Sequence, residues 1–201
     1  MESRQPRTGA CLWLLAGLSL CVASMACADD AAPAEGAGRD DLLYPLFHIA
    51  KSDSHNEVHY AGALGRDCRF AAAPVRVFWL RRADPQRPPR PLDWTEETFA
   101  YGVRLLQADP GRVSFSIAAD DTRPVLLEAF RSGAGCRLRA RMRILGDWAE
   151  PTHAYITIIE SALPWPKVEH VDLHGRREDG RPLCERLREL RAPGAPCSAA
   201  R

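Results

Sequence analysis

Six consecutive polar residues, Lys51–Asn56, bring together an amine, two hydroxyls, a carboxylate, an imidazole and an amide. Such a set could line a binding mouth or supply a nucleophile. Ser, Asp and Asn are also the residues that turns prefer, because their side chains hydrogen-bond to nearby backbone. We therefore favour a turn between two strands, and we keep Lys51, Ser52 and Asn56, with Tyr60 downstream, as candidate binding or catalytic residues.

A possible metal-ligand pattern follows at His55, Glu57 and His59. On a strand, alternate residues share one face at steps of about 6.8 Å. Two neighbours among these three could share a metal with His48, whereas His55 and His59 lie too far apart to share one on an extended strand. A solvated polar face is the favoured interpretation, and we predict neither a metal nor a cofactor.

Four arginines alternate with apolar residues between positions 137 and 144. Turned inward, they would form an anion site, with Arg139 and Arg141 as its central ligands. Turned outward, they would pair with acidic residues such as Glu128, Glu160 or Glu169, or contact an acidic membrane surface. Nearly all basic residues of this chain are arginines, so the cluster carries little functional weight and we favour the outward, ion-paired arrangement.

Large aromatic residues form a further candidate set, because Trp and Tyr combine an apolar body with one polar group. Trp79 is expected in the core. Tyr60 and Tyr101 fit either a core or a ligand pocket, and Tyr101 is kept as a ligand-binding candidate.

The elements that position these side chains are mainly strands. Apolar and polar residues alternate with a period of two, most clearly over residues 137–144, and an Asp-Gly pair at 179–180 is typical of a hairpin turn. Asp93 followed by Glu96 predicts the start of one short helix of two or three turns. We expect a mainly β domain, an antiparallel barrel or two-sheet sandwich of about seven to nine strands with one short helix.

The first 28 residues have the three parts of a secretory signal peptide: a basic start, a short apolar run and an Ala-x-Ala exit. We predict a disordered linker over residues 29–41, one β-rich domain over 42–190 and a tail over 191–201. Cys27 is the candidate for an alternative, lipid-anchored form. After signal cleavage we expect no transmembrane span, and a periplasmic or secreted location.

Four cysteines remain after the predicted signal segment, an even number that favours disulfides in an oxidising compartment. Three pairings are possible, and we favour Cys68 with Cys136 and Cys184 with Cys197.

The formal net charge of +1 argues against a nucleic-acid-binding function.

Several segments of the chain resemble a bacterial family, the domain of unknown function 4833. The opening Phe-x-Ile-x-Lys-Ser leads to Asn-x-Val-x-Tyr, and the similarity continues through residues 75–79, 100–102 and 168–175. The matching residues of the opening motif are Phe47, Ile49, Lys51, Ser52, Asn56, Val58 and Tyr60. The resemblance implies a domain and no particular chemistry.

The residues favour a non-catalytic ligand-binding or interaction module of the cell envelope, since they contain no recognisable catalytic or cofactor motif. The competing hypotheses are an enzyme that uses Lys51, Ser52, Asn56 and Tyr60, and a lipid-anchored envelope protein with a structural role. An envelope component or a small molecule is the expected kind of partner.

Overall fold

A computed structural model of the protein describes residues 41–84, 86–133, 135–160 and 166–197. The predicted signal segment with Cys27, nearly all of the predicted linker and the last four residues of the predicted tail lie outside the described residues.

Within the described residues the chain forms twelve strands, two of which are only two residues long. They are β1 (Leu42–Lys51), β2 (Ser54–Leu64), β3 (Phe70–Arg81), β4 (Arg90–Pro91), β5 (Val103–Asp109), β6 (Arg112–Ile117), β7 (Asp120–Ser132), β8 (Gly135–Ile144), β9 (Asp147–Glu160), β10 (Lys167–Arg176), β11 (Pro182–Leu187) and β12 (Ala195–Pro196). The mainly β prediction is confirmed. The number of strands exceeds the prediction, partly because β7 contains Pro124, a residue that weakens strand patterns.

The strands form one sheet that curls into a half-barrel. Its order is β4-β3-β2-β1-β9-β8-β7-β6-β5, and β10 pairs with β9 and β11. The prediction of antiparallel pairing throughout is wrong at one place: β1 and β9 run parallel, with His48 opposite His153 and Lys51 opposite Ile156. These strands are about a hundred residues apart, so no local pattern in the sequence reports their pairing.

One face of the sheet carries the hydrophobic core. Alternate residues of β1 and β2 point inward, and Val58 and Tyr60 are each only 1 % exposed. The apolar members of the alternating run in β8 pack into the same core, where Ala140, Met142 and Ile144 are buried. The inner face is therefore continuous across both halves of the sheet.

The predicted helix is shorter than expected, a five-residue π-helix at Glu96–Ala100. The predicted capping pair is present just before it: the Glu96 amide donates to the Asp93 carboxylate at 2.8 Å, and the Asp93 amide donates to the Glu96 carboxylate at 2.9 Å. This reciprocal pair is a capping box. Among the residues described, no helical segment has the length and hydropathy needed to cross a bilayer.

Both favoured disulfides form. Cys68, in the turn after β2, is bonded to Cys136 of β8 across 68 residues of sequence. Cys184 of β11 is bonded to Cys197 across 13 residues. The first joins the turn between β2 and β3 to β8, and the second attaches the C-terminal segment to β11.

Removing the two disulfides should destabilise the protein unequally, because the longer closed loop restricts the unfolded chain more. Loop-closure entropy predicts a loss of about 4 kcal/mol for Cys68→Ser with Cys136→Ser, and about 3 kcal/mol for Cys184→Ser with Cys197→Ser. Urea unfolding of each double variant measures both values. A smaller loss for the Cys68–Cys136 pair than for the Cys184–Cys197 pair would contradict this account.

Candidate functional site

A cavity of about 630 Å³ lies against the inner face of the half-barrel. Its size is within the range of small-molecule sites, which is roughly 300–1,000 Å³. Strands from both halves of the sheet contribute side chains to an apolar wall. Members of this wall are Phe47, Ile49, Met142, Ile156, Leu173 and Leu187.

Aromatic residues build one side of the cavity. Tyr60 stacks on Phe47 with ring centres 4.5 Å apart, and its hydroxyl donates to the Tyr101 carbonyl oxygen at 2.7 Å. Trp79 meets the Tyr101 ring edge-on at 5.5 Å. Burial raises the pKa of the Tyr60 phenol well above its usual value. Tyr60 thus supports the Tyr101 backbone, while Trp79 and Tyr101 line the cavity.

Glu96 holds the helical segment against this aromatic wall. Its carboxylate accepts from Trp79 Nε1 at 3.0 Å, from Arg90 at 2.8 Å and from the Asp93 amide. The Glu96 side chain therefore links Trp79 of β3, Arg90 and the start of the helical segment. These bonds restrict the indole of Trp79 and the turn that leads to Tyr101.

Lys51 supplies a cationic group at the cavity. Its Nζ lies 5.5 Å from the centre of the Trp79 ring, a cation–π distance. The Asp53 carboxylate is 3.8 Å from Nζ, which is longer than a hydrogen bond, and the Lys51 side chain is 21 % exposed. The ammonium is thus partly desolvated and accessible from the cavity.

A second cation at the cavity, Arg123, is engaged within the protein. Its guanidinium bonds to Asp120 at 2.9 Å, to the Ala192 carbonyl oxygen at 2.8 Å and to the Leu190 carbonyl oxygen. It also lies 3.5 Å from the buried carboxylate of Glu185. Arg123 therefore attaches the segment after β11 to the sheet and offers little free charge to a ligand.

A family model matches residues 47–186, well over half of the chain, and its description is domain of unknown function, DUF4833. The chain belongs to the DUF4833 family. The DUF4833 match runs from β1 to β11 and includes most of the cavity wall, but it ends before Leu187 and Cys197. No curated protein and no solved structure matches the chain.

Within this DUF4833 domain, the residues proposed for a catalytic group are not brought together in the cavity. Lys51 lines it, but the Ser52 hydroxyl accepts from the Ile158 amide at 2.9 Å and extends the pairing of β1 with β9. Asn56 lies opposite Arg81 in the β2–β3 ladder. The Tyr60 hydroxyl is already bonded to the Tyr101 carbonyl oxygen, so these four side chains do not converge on one point of the cavity.

The alternating arginines of β8 lie on the opposite face from the core. Arg141 bonds to Glu128 at 2.5 Å, and Arg139 is 3.8 Å from Glu178 and half exposed. The pKa of Glu128 is lowered by its hydrogen bond from Arg112 and by Arg141. Arg143 stacks over Trp148 at 4.4 Å. Arg139 and Arg141 therefore take part in surface pairs and do not contact the cavity.

The His55–His59 segment does not form a ready-made metal centre. His55 is exposed, whereas Glu57 is buried and contacts His59 Nε2 at 3.0 Å and Arg82 Nε at 2.6 Å. In the described part of the chain, three potential ligand atoms come within 4.8 Å of one another at Asp172, Cys184 and Cys197. The two sulfurs of that group are joined in a disulfide.

Sequence reasoning missed the structural roles of Glu96, Arg123 and Glu185. The capping pattern at Asp93 pointed to Glu96 as a helix residue, but its bond to Trp79 requires β3 to pass beside the helix. Glu185 follows the strand alternation as an inward residue, a position where a carboxylate is unexpected. Its partners, the Leu145 and Gly194 amides, are 40 and 9 residues away in the sequence.

Tyr60→Phe should destabilise the protein by about 1–2 kcal/mol, because it leaves the Tyr101 carbonyl oxygen without its donor in a buried place. Tyr155→Phe is the matched control: Tyr155 is 39 % exposed, and its loss of stability should stay under about 0.5 kcal/mol. Chemical unfolding compares the two variants. Equal losses would show that the Tyr60 hydroxyl does not stabilise the cavity wall.

Alkaline stability should depend on Tyr101. Burial raises the pKa of this phenol from 10.0 to about 12, with Glu96 and Asp53 adding to the effect. Because the folded protein holds the proton more tightly than the unfolded chain, stability falls as pH rises from about 10 towards 12. Thermal unfolding at several pH values should show a shallower fall for Tyr101→Phe. Parallel curves for variant and wild type would contradict the burial of this phenol.

Proposed function

We propose that this DUF4833 domain is a non-catalytic binding module of the cell envelope, whose ligand is a mainly apolar small molecule with an anionic end. The observation that carries the proposal is the cavity of about 630 Å³ on the inner face of the half-barrel, with one accessible ammonium beside it.

We infer the apolar part of the ligand from the apolar side chains that line the cavity. Aliphatic and aromatic side chains from β1, β3, β8, β9, β10 and β11 face the cavity. Burying an apolar group against such a surface contributes about 25 cal/mol per Å². A strongly polar ligand would lose its hydration there without enough partners to replace it.

The anionic end follows from Lys51. Its Nζ contacts the Trp79 ring at a cation–π distance, and its ion-pair partner Asp53 is 3.8 Å away, beyond hydrogen-bond distance. A carboxylate or similar anion placed at Nζ would form a charge-assisted hydrogen bond. Arg123 does not compete for this group, because its donors are bound to Asp120 and to carbonyl oxygens, whereas the exposed Arg188 is a further cation at the cavity.

The cavity is supported at two positions before any ligand arrives. Glu96 fixes Trp79 and the helical segment. Glu185 binds the Leu145 amide at 2.7 Å and the Gly194 amide at 3.0 Å, and so holds the segment after β11 near the sheet. A preformed site loses less conformational entropy when a ligand binds.

Export to an oxidising compartment is part of the proposal. Two disulfides accord with such a compartment, and the predicted signal segment supplies a route. Mass spectrometry of the mature N-terminus tests whether the signal segment is cleaved and how. A free Asp29 supports a released protein, an acylated Cys27 supports an anchored one, and an intact Met1 in the mature protein would contradict export.

Laurate is a suitable probe of the proposed site, because it joins an apolar chain to a carboxylate. Calorimetric titration should show saturable binding of laurate, and Lys51→Gln should weaken it by roughly tenfold to a hundredfold, the loss of a charged hydrogen bond. Lys167→Gln, at the other lysine of the chain, is the matched control and should bind laurate as the wild type does. Laurylamine, with the opposite end charge, should bind less tightly than laurate.

Filling the cavity provides an independent test. Ile156 lines the cavity, whereas its neighbour Tyr155 lies on the opposite face of β9. Ile156→Trp should abolish laurate binding, and Tyr155→Trp should leave it unchanged. If the two variants bind laurate equally, or if the wild type does not bind it, the proposed function is wrong.

A further inference from the structure

Four histidines lie side by side on the outer face of the sheet. His48 of β1 is directly opposite His59 of β2 and His153 of β9, and His153 is directly opposite His174 of β10. We call His59, His48, His153 and His174 the histidine row. Phe78 of β3 continues the row beyond His59.

The spacing of His48 and His59 fits shared metal coordination, and that of His48 and His153 is slightly wider. A metal about 2.1 Å from a ring nitrogen is about 3.2 Å from the ring centre, so two imidazoles on one ion have centres about 4.5–5.3 Å apart. The ring centres of His48 and His59 are 5.2 Å apart, and those of His48 and His153 are 5.6 Å apart. His153 and His174 are stacked more closely, at 4.2 Å.

Glu57 adds a carboxylate to the same place. His59 Nε2 lies 3.0 Å from one of its oxygens and His48 Nε2 lies 3.6 Å from the other. Two ligand atoms of one tetrahedral zinc are separated by about 3.4 Å, since each bond is about 2.1 Å long. Each distance is close to that separation, but the two imidazoles contact different oxygens, so the Glu57 side chain must rotate before one oxygen and both nitrogens can bind the same ion.

We propose that the histidine row binds a divalent transition-metal ion of the zinc or copper type, with His48, His59 and Glu57 as ligands and His153 as the fourth. His174 stacks on His153 and positions its ring. The rings of the row are nearly parallel, with 17° between His48 and His59. Binding therefore turns the imidazoles about their side-chain bonds, which the roughly one-quarter exposure of the His48 and His59 side chains permits.

One charged side chain already pairs with the Glu57 carboxylate. Arg82 is the competing cation, because its Nε lies 2.6 Å from Glu57 and its side chain is 68 % exposed.

Calorimetric titration of the untagged protein with Zn²⁺, in a buffer that does not bind the metal, tests this site. One ion per chain should bind, and His48→Ala should weaken binding at least tenfold. His55→Ala, at an exposed histidine of the same hairpin, should not change it. Arg82→Gln should tighten binding severalfold, because it removes the cation that occupies Glu57. Mg²⁺, which prefers oxygen ligands, should not bind.

The proposal is overturned if Zn²⁺ binding is not saturable, or if His48→Ala and His55→Ala bind it equally.

A measurement on the wild-type protein tests the site even if His48→Ala fails to fold. Sub-stoichiometric Cu²⁺ should first broaden the imidazole proton signals of the histidine row in an NMR spectrum, and leave those of His55 and His170 sharp. Uniform broadening of all the histidines would also overturn it. His48, His59 and Glu57 do not line the cavity, whereas His153 and His174 border it, so the His48→Ala variant tests the metal site without changing the cavity lining.

Discussion

The parallel pairing of β1 with β9 is the constraint on which both candidate sites depend. It joins the first four strands of the sheet to the later ones, with His48 opposite His153 and Lys51 opposite Ile156. Ser52 extends the pairing past the end of β1, since its amide and its hydroxyl both bond to β9 backbone. Without this contact the inner face would be divided between two separate groups of strands.

Each face of the β1–β9 pair has a different chemical character. On the inner side, Ile49 lies beside Ala154 and Lys51 beside Ile156, and all four line the cavity. On the outer side, the pairing brings His153 beside His48 and completes the histidine row. Because side chains alternate along a strand, a shift of one residue in this register would exchange the two faces of β9. The register of the β1–β9 pair therefore determines the positions of both the cavity residues and the histidine row.

Local features of the fold could be predicted from the sequence. The alternation in β8, the capping pair at Asp93 and Glu96, and the turn at Gly180, whose φ is +82°, are all properties of neighbouring residues. The family and the two disulfide pairings were also correct. The parallel strand pair could not be predicted, because it depends on how a hundred intervening residues fold.

The same limit applies to the candidate site. The polar run at residues 51–56 makes Lys51 a candidate, and the structure places it at the cavity. Ser52, Asn56 and Tyr60 were selected by chemical type, but their positions depend on strand direction and backbone partners. The alignment of His48 with His59 follows from one hairpin, whereas their alignment with His153 and His174 follows from long-range pairing.

The proposed cavity site can be tested by a crystal structure of the protein soaked or co-crystallised with laurate. We expect β1 and β9 to run parallel with Ile49 beside Ala154, and the laurate chain to lie between Phe47 and Met142 with its carboxylate at Lys51 Nζ. A cavity closed by its own side chains, or laurate bound only on the outer face, would contradict it.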